Sequence, residues 1–167
     1  MSRKRCLLAV TAAGVLLLMP SLERTAPQLV WNASPSMPVG LYRVQHSAVR
    51  RGDLVLIRLP PPVAKLADQR GYLPKSAYLI KIVLAVAGDH VCRFGTYVLV
   101  RGMFVRRALP RDRLGRRMPV WHGCRRLAGD ELFVLANNPQ SFDSRYFGSV
   151  SMRAVVGRAV PLWPVHR

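Results

Sequence analysis

Tyr78-Leu79-Ile80-Lys81-Ile82-Val83-Leu84-Ala85-Val86-Ala87 is an almost unbroken apolar run that stops at Gly88-Asp89. Its length, its β-branched content and the turn signal behind it predict a strand buried on both faces. The run is interrupted once, by Lys81. Lysine is seldom fully buried, because its ammonium gives up hydration that an apolar site does not replace. Lys81 therefore either snorkels its amine to the surface or holds it in an apolar site for its chemistry.

Working outward, the pattern stays β. On the N-terminal side, Gly52-Asp53 is a turn signal before Leu54-Val55-Leu56-Ile57, a predicted strand. Pro60-Pro61-Pro62 stops that strand, and Val63 to Arg70 is predicted as a short surface helix with Gly71 as its stop. On the C-terminal side, His90 to Phe94, Tyr97 to Val100 and Met103 to Val105 read as short strands joined by turns at Gly95 and Arg101-Gly102. Gly129-Asp130 opens a further strand, Glu131 to Leu135. A polar, turn-rich loop follows from Asn137 to Gly148, and Ala154 to Val160 is again strand-like. The fold class is mainly β, an antiparallel β domain behind an N-terminal apolar segment.

That segment is residues 1–22. Arg3-Lys4-Arg5 precedes an apolar stretch of about 14 residues, the pattern of a secretory signal or a short anchor. The positive-inside rule keeps the arginines in the cytoplasm and sends residues 23–167 across the membrane, toward a periplasm. The 167 residues carry a formal charge of +18, which favours anionic partners such as nucleic acid, lipid headgroups or acidic proteins. No nucleic-acid reader motif is present, which argues against the first. Between Arg101 and Arg126 there are nine arginines and one acid, Asp112. This 101–126 stretch is predicted as a solvated basic excursion that docks on lipid headgroups or an acidic partner.

The second stretch that carries chemistry is Asn32-Ala33-Ser34-Pro35-Ser36-Met37-Pro38-Val39-Gly40-Leu41-Tyr42. Pro35 and Pro38 fix their own φ and push Ser34 and Met37 toward extended geometry, so Ser36 lies on a stiff backbone. An ordinary polar turn before a strand has the same composition. A serine hydroxyl needs a base to become a nucleophile. None of His46, His90, His122 and His166 sits in a nucleophile motif, and no Gly-x-Ser-x-Gly occurs. A lysine can serve when burial lowers its pKa from about 10.4. Lys4, Lys65 and Lys75 have polar or terminal surroundings, so a Ser36–Lys81 dyad is the chemistry these residues permit best.

With these residues in order, the chain resembles the signal peptidase I superfamily, and within it the conjugative-transfer branch of TraF-type pilin peptidases. Ser34 to Tyr42 is similar to the nucleophile box, Arg70-Gly71-Tyr72-Leu73-Pro74 through Lys81 and Gly88-Asp89 to the lysine box, and Ser141 to Gly148 to the last box. The resemblance implies Ser36 as nucleophile and Lys81 as general base. It implies an oxyanion hole from the Ser36 N–H and the Ser34 hydroxyl, with Ser141 orienting the amine. It also implies an Asp143–Arg145 salt bridge that holds the loop. Two departures from general signal peptidases favour the specialised branch: a single N-terminal apolar segment, and Ala136-Asn137-Asn138-Pro139 in place of a Gly-Asp-Asn-Arg lead-in. The substrate so implied is a pilin precursor at the inner membrane surface, in company with other conjugation proteins. Some members are similar enough to imply that the pilin's own amine then closes a ring.

Cys92 and Cys124 would face an oxidising compartment, where a disulfide and two free thiols are both open; Cys6 lies in the apolar segment. No cluster has metal-ligand spacing, so neither metal nor cofactor is expected. Two other functions remain: a general preprotein signal peptidase, and a non-enzymatic basic module of a conjugation or secretion assembly.

Overall fold

In the computed structural model the described residues are 26–164, so the predicted signal or anchor at residues 1–22 lies outside them. Tyr78–Ala85 forms β4, hydrogen-bonded on one side to β3 (Leu54–Arg58) and on the other to β9 (Glu131–Leu135). Alternation along β4 sends Leu79 and Val83 into one apolar cluster, with Val55, Ile57 and Val134, and Ile80 into another, with Tyr42, Leu56 and Ala159. Both faces are covered, as the continuous apolar run predicts. The strand ends two residues early because Asp89 accepts the Val86 N–H at 3.0 Å and closes the Gly88-Asp89 turn.

Around β4 the first sheet has seven antiparallel strands. β1 (Leu29–Asn32) pairs with β2 (Gly40–Gln45), and the serine run is the loop between them. β2 does not pair with β3. The strand β11 (Val155–Pro164) lies between them and pairs with both. β10 (Val150–Ser151) closes the far edge against β9. Helix α1 (Pro61–Gln69) packs Ala64 and Ala67 on the first cluster. Its start shows a second use of the triple proline: Pro60 is the N-cap and prolines fill the first positions, where a missing N–H costs nothing.

The second sheet has four strands in the order β7-β6-β5-β8, namely Met103–Arg107, Tyr97–Val100, His90–Phe94 and Gly123–Arg126. Its inner face, with Val91, Val98 and Val100, packs against Ala85, Phe133 and Tyr146 of the first sheet's side. Cys92 and Cys124 are cross-strand partners in β5 and β8, with sulfur atoms 2.04 Å apart.

The basic stretch 101–126 differs from the predicted solvated excursion. Its ends are β7 and β8, and Ala108 and Met118 are buried between them. The strand expected at Met103 to Val105 is the first part of β7; the arginines hide the rest because they occupy edge strands, where their long stems cover apolar surface while the guanidinium stays wet. Within the polar 137–148 loop, Ser144–Phe147 forms the single-turn helix α2, N-capped by Asp143. Among the described residues no helix is long and apolar enough to cross a membrane.

Candidate active site

The site is assembled from a loop, a central strand and a capped turn. The loop is braced by Asn32, at the end of β1. Its side-chain amide nitrogen lies 3.0, 3.1 and 2.9 Å from the carbonyl oxygens of Ser34, Met37 and Pro38. Its carbonyl accepts the Ser34 N–H at 3.1 Å. From the other side, the Tyr42 hydroxyl donates to the Pro38 carbonyl at 2.6 Å, and Met37 is buried beneath. The two prolines and these braces leave Ser36 one orientation, half-buried at the rim of a groove.

Lys81 meets it from β4. Its Nζ lies 3.2 Å from Ser36 Oγ and 2.7 Å from Ser141 Oγ. The side chain is 3% exposed, so the snorkelling alternative is not what the structure shows. Burial is the main influence on the amine; the Asp143 carboxylate pulls the other way and the Arg145 guanidinium adds to the burial effect. The pKa falls from 10.5 to about 8. About a tenth of the amine is therefore neutral at pH 7, and half at about pH 8, with its lone pair available to a hydroxyl.

Ser141 is positioned by the fully buried pair Asp143 and Arg145. Arg145 donates to Asp143 through Nε at 2.8 Å and Nη2 at 2.6 Å, and Asp143 also accepts the backbone N–H of Ala136 at 3.0 Å. The rest of the guanidinium is spent on the carbonyls of Asn138, Pro139 and Ser141, at 2.8, 3.0 and 3.2 Å. One side chain thus pins the loop 138–141 that presents the Ser141 hydroxyl. A second buried arginine, Arg93, reaches from β5 to the Arg145 carbonyl and locks this turn to the second sheet.

All five sequence-predicted residues of the dyad and its support meet here. Ser34 does too: its hydroxyl is 3.1 Å from Ser36 Oγ and accepts the Ser36 N–H at 3.3 Å. The two expected oxyanion donors are engaged with each other. Asn32 and Arg93 were not singled out by sequence. For Asn32 a signal existed, since an asparagine two residues before Ser34 is the Asx-turn pattern. For Arg93 there was none, because a single arginine in a basic chain carries no mark of burial. Among the described residues no group of metal-ligating side chains comes together.

A hydroxyl, a buried amine and a second hydroxyl in one groove are the parts that acyl transfer at a serine requires. The model of the family described as signal peptidase, peptidase S26, matches residues 3–163, and the chain belongs to that family. It is 31% identical over 174 residues to the plasmid transfer protein TraF of Escherichia coli, covering 96% of this chain and 97% of that one. Similarity to the conjugal transfer protein TraF of Agrobacterium tumefaciens (strain 15955) is 30% over 183 residues, with 99% of each chain covered. A signal peptidase I of Leptolyngbya laminosa is 30% identical over 120 residues, 71% of this chain and 55% of that one. A solved signal peptidase I from Enterococcus faecalis V583 overlays 68% of this chain and 98% of its own at 17% identity and a TM-score of 0.40.

Proposed function

We propose that this protein is a conjugal-transfer serine peptidase that processes a pilin precursor through an acyl-enzyme on Ser36. The carrying observation is the contact of a 3% exposed Lys81 amine with both Ser36 Oγ and Ser141 Oγ. Similarity to TraF proteins along almost the whole chain supports the conjugation context.

Neutral Lys81 accepts the Ser36 proton as Oγ attacks the substrate carbonyl carbon. The carbonyl oxygen, now an anion, takes the Ser36 N–H and the Ser34 hydroxyl as donors in place of their mutual contact. Two such donors contribute several kcal/mol, roughly, to the barrier reduction. The Lys81 ammonium then protonates the leaving amine, and the C–N bond breaks to leave the Ser36 ester. Lys81, neutral again, takes a proton from the attacking acceptor and passes it to Ser36 Oγ as the ester bond opens, which restores the free hydroxyl and the neutral amine. With water the product is a linear acid; with the pilin's own amine it is a ring. Ser141 acts throughout as a positioning residue, holding the amine by one hydrogen bond.

The sheet edge beside the serine loop supports a reading in which the substrate is membrane-borne. Trp31, Leu41 and Trp163 are cross-strand partners in one row over β1, β2 and β11, and the two tryptophans are 58% and 74% exposed. Exposed tryptophans suit a membrane–water interface. We place the protein there, on the periplasmic side of the inner membrane.

The test is mass spectrometry of the candidate pilin co-expressed with wild-type protein, Ser36→Ala or Lys81→Ala. Processing by the wild type alone is expected. A product one water lighter than the truncated linear chain would report ring closure, and the linear mass hydrolysis. Equal processing by both variants would end this mechanism and turn attention to a basic docking module. Cleavage of unrelated preproteins would mark a general signal peptidase, the reading that the Leptolyngbya similarity favours.

A further inference from the structure

The groove that contains Ser36 and Lys81 has a volume of about 670 Å³, and one wall of it is the middle of the basic stretch, residues 109–118. This wall is a held structure. Arg111 and Arg117 form a bridge, the Asp112 N–H donates to the Arg116 carbonyl at 2.9 Å, and the Met118 N–H to the Pro110 carbonyl at 3.0 Å. Asp112 is the one acid lining the groove among the described residues, and its oxygens are fully engaged. They accept from Tyr72 Oη at 2.6 Å, from Arg116 Nε at 2.7 Å, and from the N–H groups of Leu114 and Arg116.

That leaves three lining arginines with only uncharged acceptors. Arg70 donates to the Arg117 carbonyl at 2.9 Å and Arg111 to the Gly115 carbonyl at 2.6 Å. Arg113 donates through Nε to the Gln140 side-chain oxygen at 2.8 Å. Among the described residues none of the three has a carboxylate within ion-pair distance. Each guanidinium has five N–H donors, so each keeps donors to spare.

We propose that Arg70, Arg111 and Arg113 form a carboxylate-binding subsite, through which the groove selects peptides carrying a carboxylate near the scissile bond. The placement of the peptide rests on the peptidase reading above. A carboxylate exchanging for Gln140 on Arg113 replaces an uncharged acceptor with an ionised one, and its two oxygens match the guanidinium fork as a bidentate ion pair. Gln140 precedes Ser141, so occupancy of the subsite is felt one residue from the hydroxyl that holds Lys81. The carboxylate comes from an Asp or Glu side chain or from a free C-terminus, two sources with the same chemistry at the subsite.

The experiment measures binding, separately from cleavage. Fluorescent decapeptides of Ala, Gly, Leu and Ser are titrated onto the full chain carrying Ser36→Ala, in detergent. They bear either Glu with an amidated end, Gln with a free end, or Gln with an amidated end. The carboxylate-bearing peptides are expected to bind about tenfold more tightly than the amide control at low salt. Adding Arg111→Gln and Arg113→Gln should remove that preference, and Arg111→Lys with Arg113→Lys should restore part of it. Because the whole chain is basic, Arg43→Gln with Arg153→Gln provides a variant of equal charge loss elsewhere, and it should keep the preference. The Glu peptide binding tighter identifies a side-chain source, and the free end a terminal one. Equal binding of all three peptides, or equal loss in both neutralised pairs, overturns the proposal. Wild-type cleavage of these peptides without an acidic preference would sink the subsite and leave the peptidase. A preference in binding without cleavage would do the reverse.

Discussion

At 3% exposure the Lys81 amine has little water to solvate an ammonium, and its protonation midpoint of about 8 reflects that. Between about pH 8 and 10.5 the unfolded chain holds this proton and the folded chain does not. Stability therefore rises with pH across that window, and below it the buried ammonium costs about 3 kcal/mol. Replacement of Lys81 by Met should abolish processing yet stabilise the fold by about 2 kcal/mol at pH 7, after the lost Ser141 hydrogen bond is deducted. Urea unfolding of both proteins at pH 7 and 10.5 checks this; a less stable Lys81→Met would refute the assignment of strain to the amine. The single-turnover rate of the wild type should climb with pH and level off above about 8, since only neutral Lys81 accepts a proton. Asp143→Ala acts in the opposite sense. It leaves the fully buried Arg145 cation without its carboxylate, and the chain should lose about 3–5 kcal/mol of stability along with processing. An unchanged thermal midpoint would contradict that.

Between residues and whole molecule, the elements differ in how openly the sequence declares them. β3, β4, β5, β6 and β9 are runs of β-branched and apolar residues between glycine turns, and each lies within a residue or two of its expected place. β7 was foreseen as Met103 to Val105 and runs on through two arginines, whereas the edge strand β8 was concealed by its arginines, and α2 by its polar context, because a one-turn helix has no period to detect. The meeting of Ser36 and Lys81 was legible for a physical reason: a lysine inside a buried strand and a serine between two prolines each violate local habit. The arginine wall was not, since folding 109–118 back over the groove depends on Tyr72 and Arg116 gripping Asp112 from distant parts of the chain. Gly157 shows the same limit. A Cβ there would meet Val44 Cγ1 at 2.7 Å and the Gln45 carbonyl oxygen at 2.9 Å, a closeness between β11 and β2 that no turn pattern announces. Gly157→Ala should cost about 2 kcal/mol, read from the shift in urea midpoint; a neutral result would mean the two strands part easily. In the second sheet, a Cys92–Cys124 bridge spans 32 residues of chain and should contribute about 3–4 kcal/mol. Loss of the difference in melting temperature with and without reductant, together with two thiols that accept a label, would argue for free cysteines.

Over the whole molecule, a charge of +18 sits on a frame whose Ser36 and Lys81 come from opposite sides of one intervening strand. The hairpin β1–β2 carries the serine loop, and β3–β4 carries the lysine. β11 is the strand that hydrogen-bonds the two pairs together, yet it comes after all the others of that sheet in sequence. A chain emerging in order from a ribosome or a translocation pore would carry Ser36 and Lys81 long before anything holds them 3.2 Å apart. The Ser36–Lys81 contact would arrive only with residues 155–164, so the pairing is among the last things the folding chain acquires.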